Sequence, residues 1–242
     1  MRKKLSICFL LCFVFLTAAL TAQAPPPDKL PVKSSGPAQG PQSTLPPQAV
    51  QPGPSVTRPI NENERTALLV MDVQPGILDR LQNKDEYLAK VTAAVEAAHK
   101  KQIPVVYVVV GFRPGMPEAS DRNKSFGGAL KEIASTMINP HPAITPKGDD
   151  IVVVKRRVSA FSGSDLEVIL RAQNIRHLVL AGIATSGVVL STLREAADKD
   201  YRLTVLSDLC ADFDPEVHSV LIGKVFPRQA AVMTGDEWAR TQ

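Results

Sequence analysis

Two charged residues stand where proton-transfer chemistry would need them. Asp72 and Lys155 each follow a run of apolar, largely aliphatic residues. A carboxylate beside apolar neighbours is partly desolvated, which raises its pKa and suits it to general acid–base work. A lysine nearby could fix the charge state of that carboxylate and stabilise an anion. Each residue also has a plainer interpretation: Asp72 could cap the next turn, and Lys155 could form a solvated basic patch with Arg156 and Arg157.

A turn of small residues is the third feature with chemical potential. It begins at Gly182 and separates an apolar run from a helical pattern. A strand that breaks there and leads into a helix presents backbone N–H groups at the positive end of the helix dipole. Such groups can stabilise a substrate oxyanion or another anion. The backbone from Ala184 to Val188 is therefore the expected anion cradle.

The loop after the second apolar run supplies further pocket candidates. Arg113 and Glu118 lie in it, and Arg113 could hold a carboxylate through two parallel hydrogen bonds. A solvated loop is the alternative interpretation. The four histidines are scattered through the chain and do not form a ligand set, so the sequence predicts no metal and no cofactor.

Three other residues could in principle supply a nucleophile. Ser186 and Ser191 flank the turn of small residues, but neither has a histidine partner in its motif. A helix cap explains Ser186 and a small packing residue explains Ser191. Cys210 follows the fifth apolar run, and the favoured interpretation is a small, partly buried core thiol.

The elements that must position these residues alternate between apolar strands and amphipathic helices. This alternation predicts a parallel sheet covered on both faces, an open three-layer α/β/α sandwich. Ligands of such sheets bind beyond the carboxyl ends of the strands, near the topological switch point. The predicted strands are Thr66–Met71, Ile103–Val110, Asp150–Val154, His177–Ala181, Arg202–Ser207 and Ala230–Met233, and the predicted helices are Glu86–Lys101, Phe126–Met137, Gly163–Gln173, Ser186–Lys199 and Asp214–Val225.

Three motifs at the predicted strand ends resemble those of the isochorismatase-like (cysteine hydrolase) superfamily. Its members look like D-x-Q after the first strand, K-R-x-x-x-A-F after the third and G-x-x-T-x-x-C-V after the fourth. The corresponding segments here are Asp72 to Gln74, Lys155 to Phe161, and Gly182 to Val189. The resemblance covers about residues 65–237. It implies a six-stranded parallel sheet and an Asp–Lys–Cys site that hydrolyses amides or imides.

The chain departs from the family pattern at the nucleophile. Aligned on Gly182 and Thr185, the family's cysteine falls on Val188, which cannot attack a carbonyl. Members that act on isochorismate also lack the cysteine, and they cleave a vinyl ether with an aspartate that protonates the substrate so that water can add. The resemblance also implies a cis peptide bond before Ala184. The expected pocket residues are Gln74, Arg113, Phe161, Ala184, Thr185 and Gly187, with Asp72 and Lys155 as catalytic residues.

Two functions follow from this combination. The leading hypothesis is a hydrolase that acts on a small molecule by Asp72 and Lys155 acid–base chemistry, without a cysteine nucleophile. The alternative is a pseudoenzyme that binds a small molecule on the same fold and has lost the chemistry. Loss of the cysteine favours the alternative, whereas the presence of both Asp72 and Lys155 favours the enzyme.

The first 24 residues have the order of a secretory signal. A basic segment, Arg2 to Lys4, precedes the apolar run Leu5 to Leu20, and Ala22-Gln23-Ala24 matches a small-x-small cleavage pattern. An uncleaved anchor is the alternative, but an apolar run of 16 residues is shorter than the roughly 20 that span a bilayer. The expected product is exported, periplasmic or secreted, with no stable membrane insertion after cleavage.

The composition beyond the signal limits the remaining partners. Residues 25–60 hold 11 of the 20 prolines and few large apolar side chains, which predicts a disordered linker before one domain over residues 61–242. The whole chain has 28 basic and 24 acidic residues; without the three basic residues of the signal, 25 basic residues remain, so its charge does not indicate nucleic acid. Cys210 is the only cysteine after residue 24, which excludes an internal disulfide. A homo-oligomer is compatible with the family resemblance.

Overall fold

The computed structural model describes residues 64–126 and 139–241. The predicted signal, the predicted linker and nearly all of the predicted helix Phe126–Met137 lie outside these ranges and stay predictions. Within them, six parallel strands form one sheet with helices packed on both of its faces. This arrangement confirms the predicted α/β/α sandwich.

The strands and helices alternate along the chain as the apolar pattern predicts. The strands are β1 Arg65–Met71, β2 Val105–Val110, β3 Ile151–Lys155, β4 Ile175–Ile183, β5 Arg202–Ala211 and β6 Ala231–Met233. The helices are α1 Pro75–Leu78, α2 Lys84–Lys100, α3 Leu166–Ala172, α4 Leu190–Asp198, α5 Pro215–Val220 and α6 Gly235–Arg240.

The order of the strands places β1 and β4 at the centre of the sheet. The order is β3-β2-β1-β4-β5-β6, and every neighbouring pair is parallel. Chain progress runs one way from β1 through β2 to β3 and the other way from β4 to β6, so the topological switch point lies between β1 and β4. Met71 pairs with Gly182 across this point, which brings the segments that follow β1 and β4 together.

The core divides into two layers because successive strand side chains point to opposite faces. Leu68 and Val70 of β1 pack with buried residues of α2 and with Trp238 of α6. Leu69 and Met71 pack on the other face, with buried residues of α3 and α4. Both faces of β1 are therefore dry, which explains its continuous apolar sequence.

Several predicted boundaries differ from the structure for local reasons. Strand β2 begins at Val105 rather than Ile103, directly after Pro104, which has no N–H for the sheet. Helix α4 begins at Leu190 rather than Ser186, because Gly187 has non-helical backbone angles inside the wider turn Thr185–Val189. Helix α5 ends at Val220, and a second wide turn continues to Val225.

Two helices were not predicted. Helix α1 is a four-residue helix whose first residue is Pro75. Helix α6 begins with a capping box in which Thr234 and Glu237 bond reciprocally to each other's backbone N–H groups. That box is a readable sequence signal for a helix start. No helix of the described ranges is long and apolar enough to cross a membrane.

Candidate active site

Asp72 and Lys155 meet at the carboxyl end of the sheet. Asp72 follows the last residue of β1, Lys155 is the last residue of β3, and β2 lies between these strands. The carboxylate Oδ2 of Asp72 lies 3.0 Å from the Nζ of Lys155. Asp72 is 6% exposed and Lys155 is 2% exposed. The structure therefore places Lys155 in a buried ion pair and not in a solvated basic patch.

The two oxygens of Asp72 have different surroundings. Oδ2 holds the ion pair, whereas Oδ1 is buried and has no hydrogen-bond partner among the described residues. Burial raises the pKa of Asp72, and the charge and hydrogen bond of Lys155, together with the nearby backbone N–H of Val110, oppose that rise only in part. The ammonium of Lys155 also donates to the carbonyl oxygen of Arg157 at 2.8 Å. An acid of raised pKa with one free oxygen has the properties that proton donation requires.

The backbone around Asp72 is closely fitted to β4. Asp72 has a φ of 57°, in the left-handed region that few residues other than glycine adopt. A Cβ on the neighbouring Gly182 would lie 2.5 Å from the carbonyl oxygen of Met71. Glycine is therefore the residue that lets β4 approach the end of β1 this closely.

The turn after β4 is more fully hydrogen-bonded than an empty anion cradle would be. A cis peptide bond joins Ile183 and Ala184, as the family resemblance implies. The N–H of Ser186 donates to the carboxylate of Asp212 at 2.6 Å, and the N–H of Gly187 donates to the carbonyl oxygen of Ala184 at 3.0 Å. The cradle stays a prediction, and at least these two of its N–H groups already have internal acceptors.

A cavity of about 190 Å³ lies over the Asp72–Lys155 pair. Of the residues predicted for the pocket, it includes Ala184 and Gly187, together with Val188 at the family's nucleophile position. Val188 is 2% exposed and presents only carbon atoms to the site. The remaining lining residues are Ile77, Arg80, Val110, Ser125, Phe126, Val158, Ile183 and Phe213.

Gln74 and Thr185 lie beside the cavity rather than in its wall. The side-chain amide of Gln74 accepts from the N–H of Val110 at 2.8 Å and donates to its carbonyl oxygen at 3.1 Å. The hydroxyl of Thr185 lies 2.9 Å from Nδ1 of His218, whose pKa is lowered by burial. These contacts support the ends of β2 and β4, and a direct role for either side chain in substrate binding stays a prediction.

Phe161 and Arg113 lie further from the cavity. Phe161 belongs to the core layer of α3 and α4, where its ring centroid is 5.9 Å from that of Tyr201. Arg113 is largely exposed and forms an ion pair with Glu118, which also binds Arg156 at 3.3 Å. The structure does not bring either predicted pocket residue to the Asp72–Lys155 pair.

Helix α4 holds the loop that follows Lys155. The hydroxyl of Thr192 accepts from the N–H of Ala160 at 2.9 Å. The carboxylate of Glu195 accepts from the hydroxyls of Ser159 at 2.6 Å and Ser162 at 3.2 Å. These bonds fix the segment that supplies the second acceptor of the Lys155 ammonium, so they help to position the ion pair.

Cys210 does not belong to the cavity lining. It is 4% exposed, its Sγ lies 3.9 Å from the carbonyl oxygen of Leu180, and burial raises its pKa to about 12. These properties are those of a core thiol. In the described part of the chain, no cluster of three or more histidine, cysteine or acidic residues could hold a metal ion.

Sequence reasoning missed Arg80 and Phe213 as cavity residues. Arg80 lies in the turn after α1, and Phe213 lies between β5 and α5. Neither belongs to a recognisable motif. The one available signal was that both follow strand ends on the side of the sheet where ligands bind.

Comparison with known proteins agrees with this architecture. The family model described as "Isochorismatase domain" matches residues 66–237. An uncharacterized isochorismatase family protein of Escherichia coli O157:H7, YecD, is 31% identical over 71% of this chain and 93% of its own. A probable isochorismatase of Pseudomonas chlororaphis is 33% identical over 72% of this chain and 84% of its own.

Solved structures show the same fold. An isochorismatase family protein from Burkholderia thailandensis superposes with a TM-score of 0.64 and 29% identity, over 72% of this chain and 94% of that protein. The matched region contains every strand of the sheet and the Asp72–Lys155 pair. The chain belongs to the isochorismatase family of hydrolases.

Proposed function

We propose that this protein hydrolyses a small molecule by proton transfer from Asp72, with Lys155 as its electrostatic partner and without a covalent enzyme intermediate. One observation carries the proposal: Asp72 is a buried acid of raised pKa in the wall of a cavity, ion-paired through Oδ2 and with no partner for Oδ1 in the part of the chain that the structure describes. An unsatisfied buried oxygen costs about 1–3 kcal/mol, and native proteins keep few of them. Oδ1 is buried in this structure, so the proposal requires the Asp72 side chain to turn it towards the cavity when substrate binds, and a bond from a substrate atom would then remove that cost.

The reaction begins with the proton of the Asp72 carboxylic acid. The acid donates this proton to a basic atom or an electron-rich double bond of the substrate, and a water molecule attacks the adjacent carbon. The Asp72 carboxylate recovers one proton from the added water, which leaves a hydroxyl on that carbon. The bond to the leaving group then breaks as the proton of this hydroxyl passes to the leaving group and the carbon becomes a carbonyl. The sum is hydrolysis, with the acid regenerated.

Lys155 helps Asp72 to lose a proton and to regain one in each catalytic cycle. After proton donation Asp72 is an anion in a buried site, where an isolated charge is strongly disfavoured. The ammonium at 3.0 Å stabilises that anion and leaves the carboxylate free to accept the next proton. The pair therefore suits alternate donation and recovery of one proton.

Val188 separates this reaction from the one that a cysteine would perform. Its side chain lines the cavity but has no lone pair with which to form an acyl-enzyme. Water must therefore attack the substrate directly. A cavity of about 190 Å³ suits a small-molecule substrate.

A second function, non-catalytic binding of a small molecule, is favoured by the same valine. An apolar side chain at the nucleophile position leaves a pocket that can retain a ligand without reacting covalently. This alternative gives no reason for a buried Asp72–Lys155 pair with a free carboxylate oxygen. Turnover distinguishes the two functions, because a binding protein forms complexes but no product.

The test combines a substrate panel with one isosteric change. Small vinyl ethers, amides and carbamates are incubated with the wild-type domain, and products are measured by mass spectrometry. Asp72→Asn should lower turnover of any hit by about 10²–10⁴-fold while the domain stays folded, because a general acid is lost and the shape is kept. Its melting temperature should fall, since Lys155 loses its buried partner. Asp79→Asn is the matched control, since Asp79 is an exposed acid paired with Lys84. Full activity in Asp72→Asn would refute the mechanism.

A further inference from the structure

An arginine and an aromatic ring meet at the mouth of the cavity. The guanidinium carbon of Arg80 lies 3.9 Å from the ring centroid of Phe213, and both residues line the cavity of Asp72 and Lys155. Both are exposed, with Phe213 40% exposed, so they form its solvent end. A guanidinium stacked on a ring keeps its in-plane N–H donors available to a ligand.

The charge of the cavity wall is uneven. Its charged residues are Asp72, Lys155 and Arg80, and all others are apolar apart from Ser125 and Gly187. Asp72 and Lys155 compensate each other as an ion pair. Arg80 has no ion pair with any acidic side chain of the described ranges. The mouth therefore has a positive charge that no acidic side chain of residues 64–126 and 139–241 neutralises, and the interior walls are mostly apolar.

We propose that this cavity selects a small monocarboxylate with an apolar or planar body, and that Arg80 on Phe213 binds its carboxylate. The proposal rests on the proposed function only in taking this cavity as the substrate site. Arg80 matches a carboxylate through parallel N–H donors, and the side chains of Ile77, Val110 and Val158 match an apolar body. While Asp72 is ionised and pairs with Lys155, a second negative charge would meet no free cation within the described cavity wall.

Arg80 is better placed for this role than Arg113, the arginine that the sequence indicates. Arg113 is paired with Glu118, which binds Arg156 as well. A ligand carboxylate would have to displace Glu118 from Arg113. Arg80 presents no such competition, and it alone of the two belongs to the cavity wall.

Three probes of one shape measure the selectivity directly. Benzoate, nitrobenzene and benzamidinium are similar in size and have charges of −1, 0 and +1. Calorimetric titration of the wild-type domain near neutral pH should show benzoate binding at least about tenfold more tightly than nitrobenzene, with benzamidinium weakest. None of these probes is expected to turn over, so the result does not depend on catalysis.

The variants assign the preference to a residue. Arg80→Gln should lower benzoate affinity by roughly tenfold and leave nitrobenzene affinity unchanged, because only the charge-assisted bonds are lost. Arg171→Gln is the matched control: Arg171 lies 5.4 Å from the Tyr201 ring, a second arginine–aromatic contact outside the cavity. Arg113→Gln tests the other candidate, the arginine that the sequence indicates.

Several results would overturn the proposal. These are a wild-type domain that fails to bind benzoate, one that binds nitrobenzene or benzamidinium as tightly, or a benzoate preference that survives Arg80→Gln and disappears in Arg113→Gln. The proposed function is judged separately, by turnover in wild type and Asp72→Asn. Benzoate selectivity without turnover of any substrate would support this inference and refute the proposed catalysis. Turnover of neutral substrates without benzoate selectivity would support the catalysis and refute this inference.

Discussion

The amino edge of the sheet, where its strands begin, and the carboxyl edge, where they end, each hold a titratable group of low exposure. The hydrogen bonding of these two groups is opposite. Near the amino edge, His177 of β4 lies between two hydroxyls, with Nδ1 3.0 Å from Thr66 and Nε2 2.9 Å from Thr204. Near the carboxyl edge, Asp72 has one oxygen in an ion pair and one without a partner among the described residues. His177 is a strand residue and Asp72 directly follows one, and burial shifts the pKa of both groups, so burial alone does not distinguish them.

The difference lies in whether the protein completes the hydrogen bonds. Both ring nitrogens of His177 have partners, and burial together with the charge of Arg202 lowers its pKa to about 4. A neutral, fully bonded histidine joins three strands and has no capacity left for a ligand. Asp72 keeps capacity at a cost in free energy, which is typical of a residue that binds or reacts. The two groups therefore differ in whether a hydrogen-bonding atom is left over for a ligand.

The largest expected effect is on the carboxyl edge. Lys155→Met should reduce turnover by about 10²–10⁴-fold, as for loss of an acid–base partner. The pKa of Asp72, already raised, rises further without the ammonium. Any remaining activity that needs the protonated acid should therefore persist to higher pH than in wild type, which a pH–rate profile measures.

Lys155→Met should also lower the free energy of unfolding, and the pH dependence of that free energy has a defined sign. A carboxyl whose pKa is raised in the folded state binds more protons than in the unfolded state, so the free energy of unfolding falls as pH rises through that range. At neutral pH, breaking a buried pair costs about 3–5 kcal/mol. Lys84→Met removes the cation of an exposed, solvent-screened pair and should change stability far less. Equal effects of the two variants would erase the distinction between buried and exposed pairs.

The second effect compares two thiols at the carboxyl edge. Val188→Cys places a thiol in the cavity wall, whereas Cys210 is in the core with its pKa raised to about 12. The introduced thiol should react with iodoacetamide at neutral pH roughly 10³-fold faster, because reaction needs the thiolate. Mass spectrometry of timed samples measures both rates.

The parent protein provides the control for this comparison. Its turnover should survive alkylation, and Cys210→Ser should affect stability only. Loss of turnover on alkylation of the parent, combined with an inactive Cys210→Ser, would make Cys210 catalytic and move the chemistry away from Asp72 and Val188.

The smallest effect belongs to the amino edge. Because the pKa of His177 is about 4 in the fold, the unfolded state takes up a proton first as the solution is acidified. The free energy of unfolding should therefore fall by up to about 3 kcal/mol between roughly pH 6.5 and pH 4. Denaturant titrations at several pH values measure this slope.

A matched pair of variants isolates the histidine. His177→Gln should reduce the dependence of the free energy of unfolding on pH. His99→Gln, at an exposed contact with Asp150, should leave the contribution of His177 to that dependence unchanged. The lowered pKa of His218 acts in the same direction, so some slope remains. An unchanged slope in His177→Gln would contradict the neutral, bonded histidine described here.

Sequence reasoning succeeded where one periodic signal decides the outcome. Apolar strands fix a parallel sheet, and the carboxyl ends of such strands share one edge, which is why Asp72 and Lys155 could be expected to meet. It failed where contacts join loops from distant parts of the chain. The stacking of Arg80 on Phe213 depends on the paths of two irregular turns, and no local pattern specifies it.

The interior of the site shows the same limit at shorter range. The D-x-Q motif identified Gln74 but not its role, because an amide that bonds both backbone groups of Val110 depends on how close β1 and β2 lie. Likewise, a helical pattern from Ser186 was correct in type, but the angles of Gly187 delay the regular helix to Leu190. Hydrophobic periodicity predicts which segments are helices or strands, whereas tertiary packing determines the residues at which they begin and end.

The carboxylate of Asp212 gives the turn after β4 an internal counter-ion. It accepts the N–H of Ser186 at 2.6 Å, where an incoming anion would otherwise find a donor. A transition state that gathers negative charge over this turn would meet electrostatic repulsion, whereas one that gathers positive charge would be stabilised by the same carboxylate. Under the proposed function this carboxylate favours acid-initiated bond cleavage, and we expect that a cysteine at position 188 alone would not convert the protein into an amidase.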